Sequence, residues 1–283
     1  MARRQLVVSR FPSALERQYR VYLLSLVAFL RVRINASLLP VYRRASEEQA
    51  EVVRADAWAD YIESAIQGIR LSAEDILYRG RRMVVQLAEQ TATFAKRPWQ
   101  HVAEAQTGVN IFQQEKWLSP LLESWAKENV KLISSIEEQY LGRVAQRAQD
   151  MVRQGRSVKQ FSEELAKEYD VAAARARLIA RTEMAKLNGQ ITKARQQSLG
   201  GNEYDWMTSA DERVRESHKV LNGKICRYDD PTVYRNEGET EWRKRESIGG
   251  YVGDPGEDFQ CRCVAAARIE DLLSSLLGET NVS

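Results

Sequence analysis

Two cysteines separated by one residue are the part of this 283-residue sequence best suited to chemistry. Cys261 and Cys263 are two of its three cysteines, and a disulfide between neighbours at i and i+2 would be badly strained. If they lie on a strand, both side chains point to the same face, where two thiolates can bind one metal ion. The spacing therefore predicts a shared metal site.

The other ligands of such a site can come from the same part of the chain. His218 is one of only two histidines and Cys226 is the third cysteine, so the pattern is H-x7-C-x34-C-x-C. Sulfur and imidazole ligands suit zinc, and four of them would form a closed, structural site. The alternative is that the cysteines are buried free thiols, because cysteine is often found in protein cores. The other histidine, His101, is expected at a surface or an interface.

The elements that position these residues follow the glycine pair at 200–201. Alternating residues in EYDWMT predict a strand over 204–208, and QCRCVAA predicts a second strand over 261–265 in the same sheet. Between the two strands, SADERVRESHKVLNG predicts a short helix that ends at a glycine. The glycine-rich stretch 224–258 is expected to be a loop.

Helical periodicity dominates the rest of the chain, so the predicted fold class is α+β and predominantly α-helical. We expect long N-terminal helices followed by a small α+β module with a short sheet. The predicted segments are an arginine-rich helical region over 1–105, long amphipathic helices over 106–156, the α+β module over 157–267 and a helical tail over 268–283. A capping box of Ser157 with Gln160 is expected to open the module.

Serine and proline mark the predicted ends of the N-terminal helices. The first helix is expected to run from Ser13 to about Pro40, and further helices are expected to begin at Ser46 and Ser72. Pro98 breaks the helical pattern again, which places the predicted boundary near residue 105.

Composition indicates a soluble globular protein, with 43% hydrophobic and 29% charged residues. The longest apolar run, 21–30, is about half of what a bilayer span requires, so it predicts a buried helix face and no membrane span. No small-residue cleavage site follows this run, which argues against a secretory signal. Three cysteines are too few for a disulfide framework, which favours a reducing compartment such as a cytoplasm.

Positive charge is concentrated at the start of the chain. Residues 1–45 contain nine arginines and one acidic residue, Glu16, so this segment carries +8 in a chain of net charge +3. The arginines predicted to contact a partner are Arg3, Arg4, Arg10, Arg17, Arg20, Arg31 and Arg33. An apolar stripe on the same predicted helix is formed by Leu23, Leu24, Val27 and Leu30. The two interpretations are a solvated helix face and a face that docks on an acidic protein surface or on phosphates.

Charged residues of the predicted module have expected partners. Asp211 and Arg215 lie at i and i+4 on the predicted short helix and can pair there. Arg181 and Glu183 are expected on an exposed helix face, and the alternative is a buried Arg181 that bridges to the DERVR segment. Arg262 projects opposite the cysteines and can bind a carboxylate bidentately.

Three segments, in this order, carry a resemblance to a known family: RARLIARTEMAKLNG, YDWMTSADERVRESHKVLNGK and PGEDFQCRC. Together they resemble the head morphogenesis family of tailed bacteriophages, typified by protein F of phage Mu and the minor head protein of phage SPP1. The resemblance covers roughly residues 115–265. Its motif residues are Arg181, Glu183, Trp206, Asp211, Val214, Arg215, His218, Gly223, Cys261, Arg262 and Cys263.

The resemblance implies a minor capsid protein with no catalytic activity attached to its module. Such proteins enter the forming head in few copies, associate with the portal protein, and act in head assembly or around DNA packaging and ejection. Major capsid or scaffold protein and packaged DNA are further implied contacts, and the implied location is the virion head, assembled in the host cytoplasm. Family members usually carry an apolar residue at the position of Cys226, which would leave His218, Cys261 and Cys263 with a fourth ligand from elsewhere.

Two other classes of function are alternatives. One is a metal-dependent nuclease, because Asp211, His218 and Asn222 are ingredients of an HNH-type site, although a second histidine is missing nearby. The other is a zinc-stabilised DNA-binding protein, which the basic start fits, whereas the stretch 227–258 is acidic and no base-reading motif is present. The sequence therefore favours a protein that is not an enzyme.

Overall fold

The computed structural model describes residues 6–48, 55–106 and 115–268. Four long helices dominate this part of the chain: α1 (Ser13–Glu48), α2 (Ala55–Gln106), α3 (Leu118–Arg153) and α4 (Val158–Ser198). A region of short strands follows them, so the predicted α+β, predominantly helical class is confirmed. The predicted helical tail after residue 268 lies outside the described residues.

The helices are longer than the sequence predicts. α1 continues through Pro40 and Ser46, and α2 contains both Ser72 and Pro98, so these four predicted helix ends were wrong. The Ser72 hydroxyl donates to the carbonyl of Ile69 within α2, so it does not cap an N-terminus. Tertiary packing outweighs the local signals of single residues here.

Side-chain contacts stabilise the part of α1 that follows Pro40. The ring of Tyr42 stacks on that of Phe161 with centroids 4.0 Å apart, and its hydroxyl donates to the carbonyl of Arg156 at 2.8 Å. Both rings are fully buried. A proline inside a helix removes one backbone hydrogen bond, and these contacts compensate for its loss.

The capping box at the start of α4 is confirmed. The Ser157 N–H donates to Gln160 Oε1 at 3.0 Å, and the Gln160 N–H donates to Ser157 Oγ at 3.3 Å. After the last turn of α4, Gly200 adopts a φ of 82°, and the N–H of Gly201 donates to the carbonyl of Gln196 at 2.9 Å. This left-handed end satisfies a terminal carbonyl and turns the chain into the sheet.

Six short antiparallel strands form one sheet in the described part of the chain. They are β1 (Leu6–Val8), β2 (Glu203–Met207), β3 (Ile225–Arg227), β4 (Val233–Arg235), β5 (Arg243–Lys244) and β6 (Val264–Arg268), in the spatial order β1-β6-β2-β3-β4-β5. Trp206 pairs with Ala265 and Met207 with Val264, so the predicted pairing of two strands is confirmed. β6 begins at Val264, later than predicted.

Four strands are absent from the sequence-based prediction. β3, β4 and β5 lie in the stretch predicted to be a loop, and each has only two or three residues, too few to show an alternating pattern. β1 lies in the arginine-rich start of the chain and pairs with β6, with Val7 opposite Ala267. Val7 is buried, so the start of the chain contributes an edge strand to the sheet.

The chain divides into two compact units, each assembled from separate stretches of sequence. The unit that contains the sheet is formed by Met1–Glu16, Gln86–Trp125 and Arg181–Ser283, and the helical unit by Arg17–Val85 and Ala126–Ala180. We call them the sheet unit and the helical unit.

The apolar stripe of α1 is packed inside the helical unit. Leu23, Val27 and Leu30 are fully buried and Leu24 is half-buried, so this stripe belongs to a core and is not free to dock on a partner. By length and composition, Ser13–Glu47 would also suffice to cross a membrane, and a buried core helix passes the same test.

Candidate functional site

A turn and a one-turn helix carry His218, where the sequence predicts a longer helix. The helix, α5, spans only Glu216–Lys219. Before it, the carboxylate of Asp211 accepts the N–H of Arg213 at 3.1 Å. A side chain that bonds its own neighbouring backbone competes with helix formation, which explains why the helix begins late.

Two aromatic residues fix the imidazole of His218 in the interior of the sheet unit. The ring of Trp206 lies edge-on to it with centroids 5.6 Å apart, and the ring of Tyr251 lies at 4.8 Å. His218 is buried, and Trp206 is fully buried on β2. The imidazole of His218 is therefore packed between two aromatic rings.

Both cysteines of the C-R-C element lie just before β6, on residues 258–263, which we call the cysteine loop. Cys261 and Cys263 are buried, whereas Arg262 between them reaches the other way and is partly exposed. The predicted alternation therefore holds, although these residues precede the strand. The backbone turns at Gln260, with a φ of 55°, and the Cys263 N–H donates to Cys261 Sγ at 3.4 Å.

Three side chains converge on one point in this interior. Nδ1 of His218 lies 3.4 Å from the sulfur of Cys263 and 3.6 Å from that of Cys261. All three atoms lie within 4.8 Å of one another, and all three residues are buried. We call these residues the His-Cys-Cys group, and its atoms are of the kind and spacing that could hold a metal ion.

Asp258 completes the surroundings of the histidine and is absent from the sequence-based prediction. Its Oδ2 lies 3.1 Å from Nε2 of His218. Because a carboxylate faces Nε2, this nitrogen carries the hydrogen and Nδ1 presents its lone pair to the sulfurs. The signal for Asp258 in the sequence was only its closeness to the C-R-C element, since carboxylates commonly orient histidines that bind metals.

The pKa values of the two thiols of the group are shifted in opposite directions. A hydrogen bond from the Cys263 thiol lowers the pKa of Cys261 to about 4, although burial acts in the opposite direction. The same hydrogen bond and burial raise the pKa of Cys263 far above its usual range. The downward shift favours the thiolate form of Cys261, which is the form that binds a cation.

Cys226, predicted as a fourth ligand, does not belong to the His-Cys-Cys group. It lies on β3, opposite Tyr204 on one side and Tyr234 on the other, and is fully buried. Its sulfur contacts the carbonyl of Lys224 at 4.0 Å, and burial raises the pKa of its thiol to about 11. The ligand prediction was wrong for this residue, because a strand of three residues places it in the core behind the site.

Asp211 and Arg215 bind the cysteine loop instead of each other. Nη2 of Arg262 lies 2.7 Å from Oδ1 and 2.6 Å from Oδ2 of Asp211, so the predicted carboxylate partner of Arg262 is found here. Arg215 reaches Asp258 at 2.5 Å and the carbonyl of Phe259 at 2.9 Å. The predicted pair within one helix was wrong, and these two contacts tie the turn before α5 to the cysteine loop.

Arg181 on α4 also contacts the cysteine loop. Its Nη1 donates to Oε1 of Gln260 at 3.2 Å, and the neighbouring Thr182 Oγ1 accepts the N–H of Gln260 at 3.2 Å. Arg181 is half-buried, so it is neither the exposed residue nor the bridge to the DERVR segment that the sequence suggests.

Three other motif residues are placed by the backbone turn or by burial and do not belong to the His-Cys-Cys group. Gly223 adopts a φ of 74°, and its N–H donates to the carbonyl of Trp206 at 2.8 Å, which returns the chain towards β3. Glu183 was expected on an exposed face, but it is buried and accepts a hydrogen bond from Nζ of Lys186 at 3.0 Å. Val214 is half-buried.

A cavity of about 170 Å³ opens beside the His-Cys-Cys group. Its lining residues are Arg181, Ser209, Arg213, Val214, Arg215, His218, Gln260, Cys261, Arg262 and Cys263. Four of these are arginines, and none is an acidic residue. The cavity is therefore a cationic space with the candidate metal ligands in its wall.

The arginines predicted to bind a partner lie in several settings. Arg10, Arg17, Arg31 and Arg33 are exposed and Arg20 is half-buried, while Arg3, Arg4 and the side chain of His101 lie outside the described residues. The guanidinium of Arg31 lies 4.4 Å from the centroid of the Tyr169 ring, and Nε of Arg33 donates to Ser72 Oγ at 3.1 Å. Their exposed guanidinium edges remain accessible to a partner.

Residues 142–266 match the family described as "Phage Mu protein F like protein". This part of the chain is similar to the phage Mu protein F-like family. We call it the Mu F-like module, and it contains the complete His-Cys-Cys group and Asp258. The resemblance in sequence motifs is thereby confirmed.

A protein of Haemophilus influenzae, described as uncharacterized, is 34% identical to this chain over 136 residues. The matched region covers 48% of this chain and 27% of that relative, so the chain spans about a quarter of the relative's length. No solved structure matches this chain.

Proposed function

We propose that this chain is a minor capsid protein that acts in head morphogenesis of a tailed bacteriophage. The observation that carries the proposal is the match over 142–266, because the matched stretch includes the buried His-Cys-Cys group together with the residues that fix it. In this proposal the protein enters the head in few copies, acts around DNA packaging or ejection, and is assembled in the host cytoplasm.

The portal protein is the proposed partner, and the exposed arginines of α1 support a contact with an acidic surface. Arg17, Arg31 and Arg33 are exposed on a helix whose apolar side is buried, so charge is what this helix offers to a partner. Guanidinium groups pair bidentately with carboxylates and keep their charge at any physiological pH. Major capsid or scaffold protein and packaged DNA are further contacts in the same proposal.

Zinc is the proposed ion of the His-Cys-Cys group. Thiolate sulfur and imidazole nitrogen are its preferred ligands in proteins, and a reducing cytoplasm keeps the thiols available. The strands of the sheet have two to five residues each, so the backbone pairing between them is short. An ion held by His218, Cys261 and Cys263 would join α5 to the entrance of β6, and its binding energy would add to the folding energy of the module.

A role without catalysis fits the surroundings of the residues that suggested a nuclease. Asn222 accepts hydrogen bonds from the N–H and the hydroxyl of Thr208 at 2.9 and 3.0 Å. Its side-chain amide is therefore bound to the end of β2. The carboxylate of Asp211 is held by Arg262. Each of these two side chains therefore has a hydrogen-bonding partner other than His218.

The test of this function is the content of heads assembled from the genome that encodes the chain. We expect purified heads to contain the protein in few copies, and a short cross-linker to join it to the portal protein. Heads that never contain the protein would contradict the proposal. Recovery of the protein on DNA, but not in heads, would favour the zinc-stabilised DNA-binding alternative.

A further inference from the structure

The two nitrogen–sulfur distances within the His-Cys-Cys group match a tetrahedral metal site. Typical zinc–sulfur and zinc–nitrogen bonds place a sulfur and a nitrogen ligand of one ion about 3.5 Å apart. The two distances from Nδ1 of His218 to the sulfurs are 3.4 and 3.6 Å. A single lone pair on Nδ1 cannot accept a full hydrogen bond from both thiols, whereas one metal ion satisfies the nitrogen and both sulfurs together.

We infer that this group is an open metal centre with three protein ligands, and that its fourth position takes a phosphate group from the arginine-lined cavity. The inference rests on the proposed metal and adds a ligand to it. Cys226, the other cysteine, is in the core behind the site, and the cavity lining contains no acidic residue. Three protein ligands beside a cavity are typical of sites that bind an exogenous ligand, whereas structural sites use four.

The charge around the cavity selects an anion. A divalent ion with two thiolates and a neutral imidazole carries no net charge, so the arginines set the sign of the potential. Arg215 and Arg262 are paired with aspartates, whereas Arg181 and Arg213 form no ion pair within the described ranges. Two unneutralised guanidinium groups beside an open metal position favour an oxyanion that both can contact.

The size of the cavity favours a small ligand or the end of a larger one. Its volume of about 170 Å³ is below the range of roughly 300–1,000 Å³ typical of pockets for drug-sized ligands. A phosphate monoester presents three oxygens, enough for a metal ion and two guanidinium groups. Inorganic phosphate and the terminal phosphate of a DNA strand share this chemistry, and the experiment separates them.

Cobalt substitution of the full chain tests the inference directly. Cobalt(II) bound by two thiolates and an imidazole absorbs visible light, and its d–d bands report a change of the fourth ligand. We expect one cobalt per chain in phosphate-free buffer and a saturable shift of these bands when inorganic phosphate is added. A short oligonucleotide with a 5′-phosphate, compared with the same oligonucleotide without it, then tests whether a DNA end delivers the phosphate.

Matched variants separate the metal from its ligand. Cys263→Ser should lose the cobalt, and Cys226→Ser should keep both the cobalt and the phosphate response. Arg213→Ala should keep the cobalt but weaken phosphate binding about tenfold, which is the effect of one charge-assisted hydrogen bond.

The outcomes distinguish a failure of the open fourth position from a failure of the proposed metal site. A chain that binds no cobalt or zinc overturns both. A chain that binds one cobalt but shows unchanged bands with either form of phosphate overturns only the open position. Loss of cobalt in Cys226→Ser, as in Cys263→Ser, would indicate a closed site with four ligands and would also overturn it.

Discussion

Oδ2 of Asp258 lies 3.1 Å from Nε2 of His218, and the two sulfurs face the other nitrogen of the ring. The imidazole therefore connects a carboxylate to two cysteines. Arg215 contacts the same carboxylate oxygen at 2.5 Å, so the carboxylate is itself fixed. A histidine held in this way has one orientation and one tautomer before any metal arrives.

Replacing the carboxylate should weaken metal binding without unfolding the protein. Asp258→Asn keeps the size of the side chain but removes its charge, so we expect metal affinity to fall by roughly 10- to 100-fold. Competition with a chelating dye measures this affinity in the full chain. Glu216→Gln, an exposed acidic residue on α5, is the control and should leave the affinity unchanged. Equal affinities for the two variants would contradict an orienting role of Asp258.

The buried thiol of Cys226 predicts a specific loss of stability at alkaline pH. Its folded-state pKa of about 11 lies above the value of about 8.5 for an exposed thiol. The unfolded chain therefore releases this proton first, so the stabilisation from the neutral thiol is complete below about pH 8.5 and is lost as the pH rises towards 11.

Cys226→Ala removes this titrating group, so comparison of the variant with wild type isolates the contribution of the thiol. The difference in the free energy of unfolding between wild type and variant should change by up to about 1.4 kcal/mol per pH unit between about pH 9 and about pH 11. Urea denaturation at a series of pH values gives this difference. A difference that stays constant with pH would show that the thiol is not buried as described.

The sequence allowed the His-Cys-Cys group to be predicted but not its neighbours. Rare residue types made His218, Cys261 and Cys263 visible, because a chain with three cysteines and two histidines offers few other candidates. Asp258 is one of many acidic residues, so nothing in its type distinguished it. Cys226 was misassigned because the strand that buries it is too short to be recognised from alternation.

In the fold, too, the features that follow from repeated patterns were predicted, and the features that depend on single contacts were not. The α+β class and the pairing of β2 with β6 follow from periodicity over many residues. The continuation of α1 past Pro40 depends instead on particular packing contacts, such as that between Tyr42 and Phe161. The edge strand β1 is far from β6 in sequence, so no local pattern predicted their pairing.

The position of β1 predicts that the start of the chain stabilises the sheet. Val7 is buried opposite Ala267, whereas Leu6 is exposed. Val7→Ala should destabilise the sheet unit by about 1–3 kcal/mol, and the control Leu6→Ala should change its stability by less than about 0.5 kcal/mol. Hydrogen exchange of the β6 amides reports the effect locally. Equal exchange in both variants would contradict the pairing of β1 with β6.

The same strand changes how the partner surface is best tested. Deleting residues 1–45 removes β1 together with the arginines, so a loss of function would not identify the cause. Replacement of Arg17, Arg31 and Arg33 by glutamine leaves β1 in place and removes three charges, together with the contacts of Arg31 with Tyr169 and of Arg33 with Ser72. We expect it to lower incorporation into heads. Mass spectrometry of purified heads measures incorporation.

A control with the same loss of charge separates a specific contact from a general electrostatic effect. Lys127, Lys131 and Lys159 are exposed residues of the helical unit, and their replacement by glutamine should leave incorporation unchanged. If both triple variants enter heads equally well, the arginines of α1 do not attach the protein.

X-ray absorption of the zinc-loaded full chain tests the metal centre most directly, because it counts the sulfur atoms bound to the ion. The structure predicts two sulfurs at about 2.3 Å and two nitrogen or oxygen ligands at about 2.0–2.1 Å, one of them from His218. Three sulfurs would place Cys226 on the ion, and a chain that holds no metal would leave the His-Cys-Cys group as a cluster of buried thiols; either result would contradict the account.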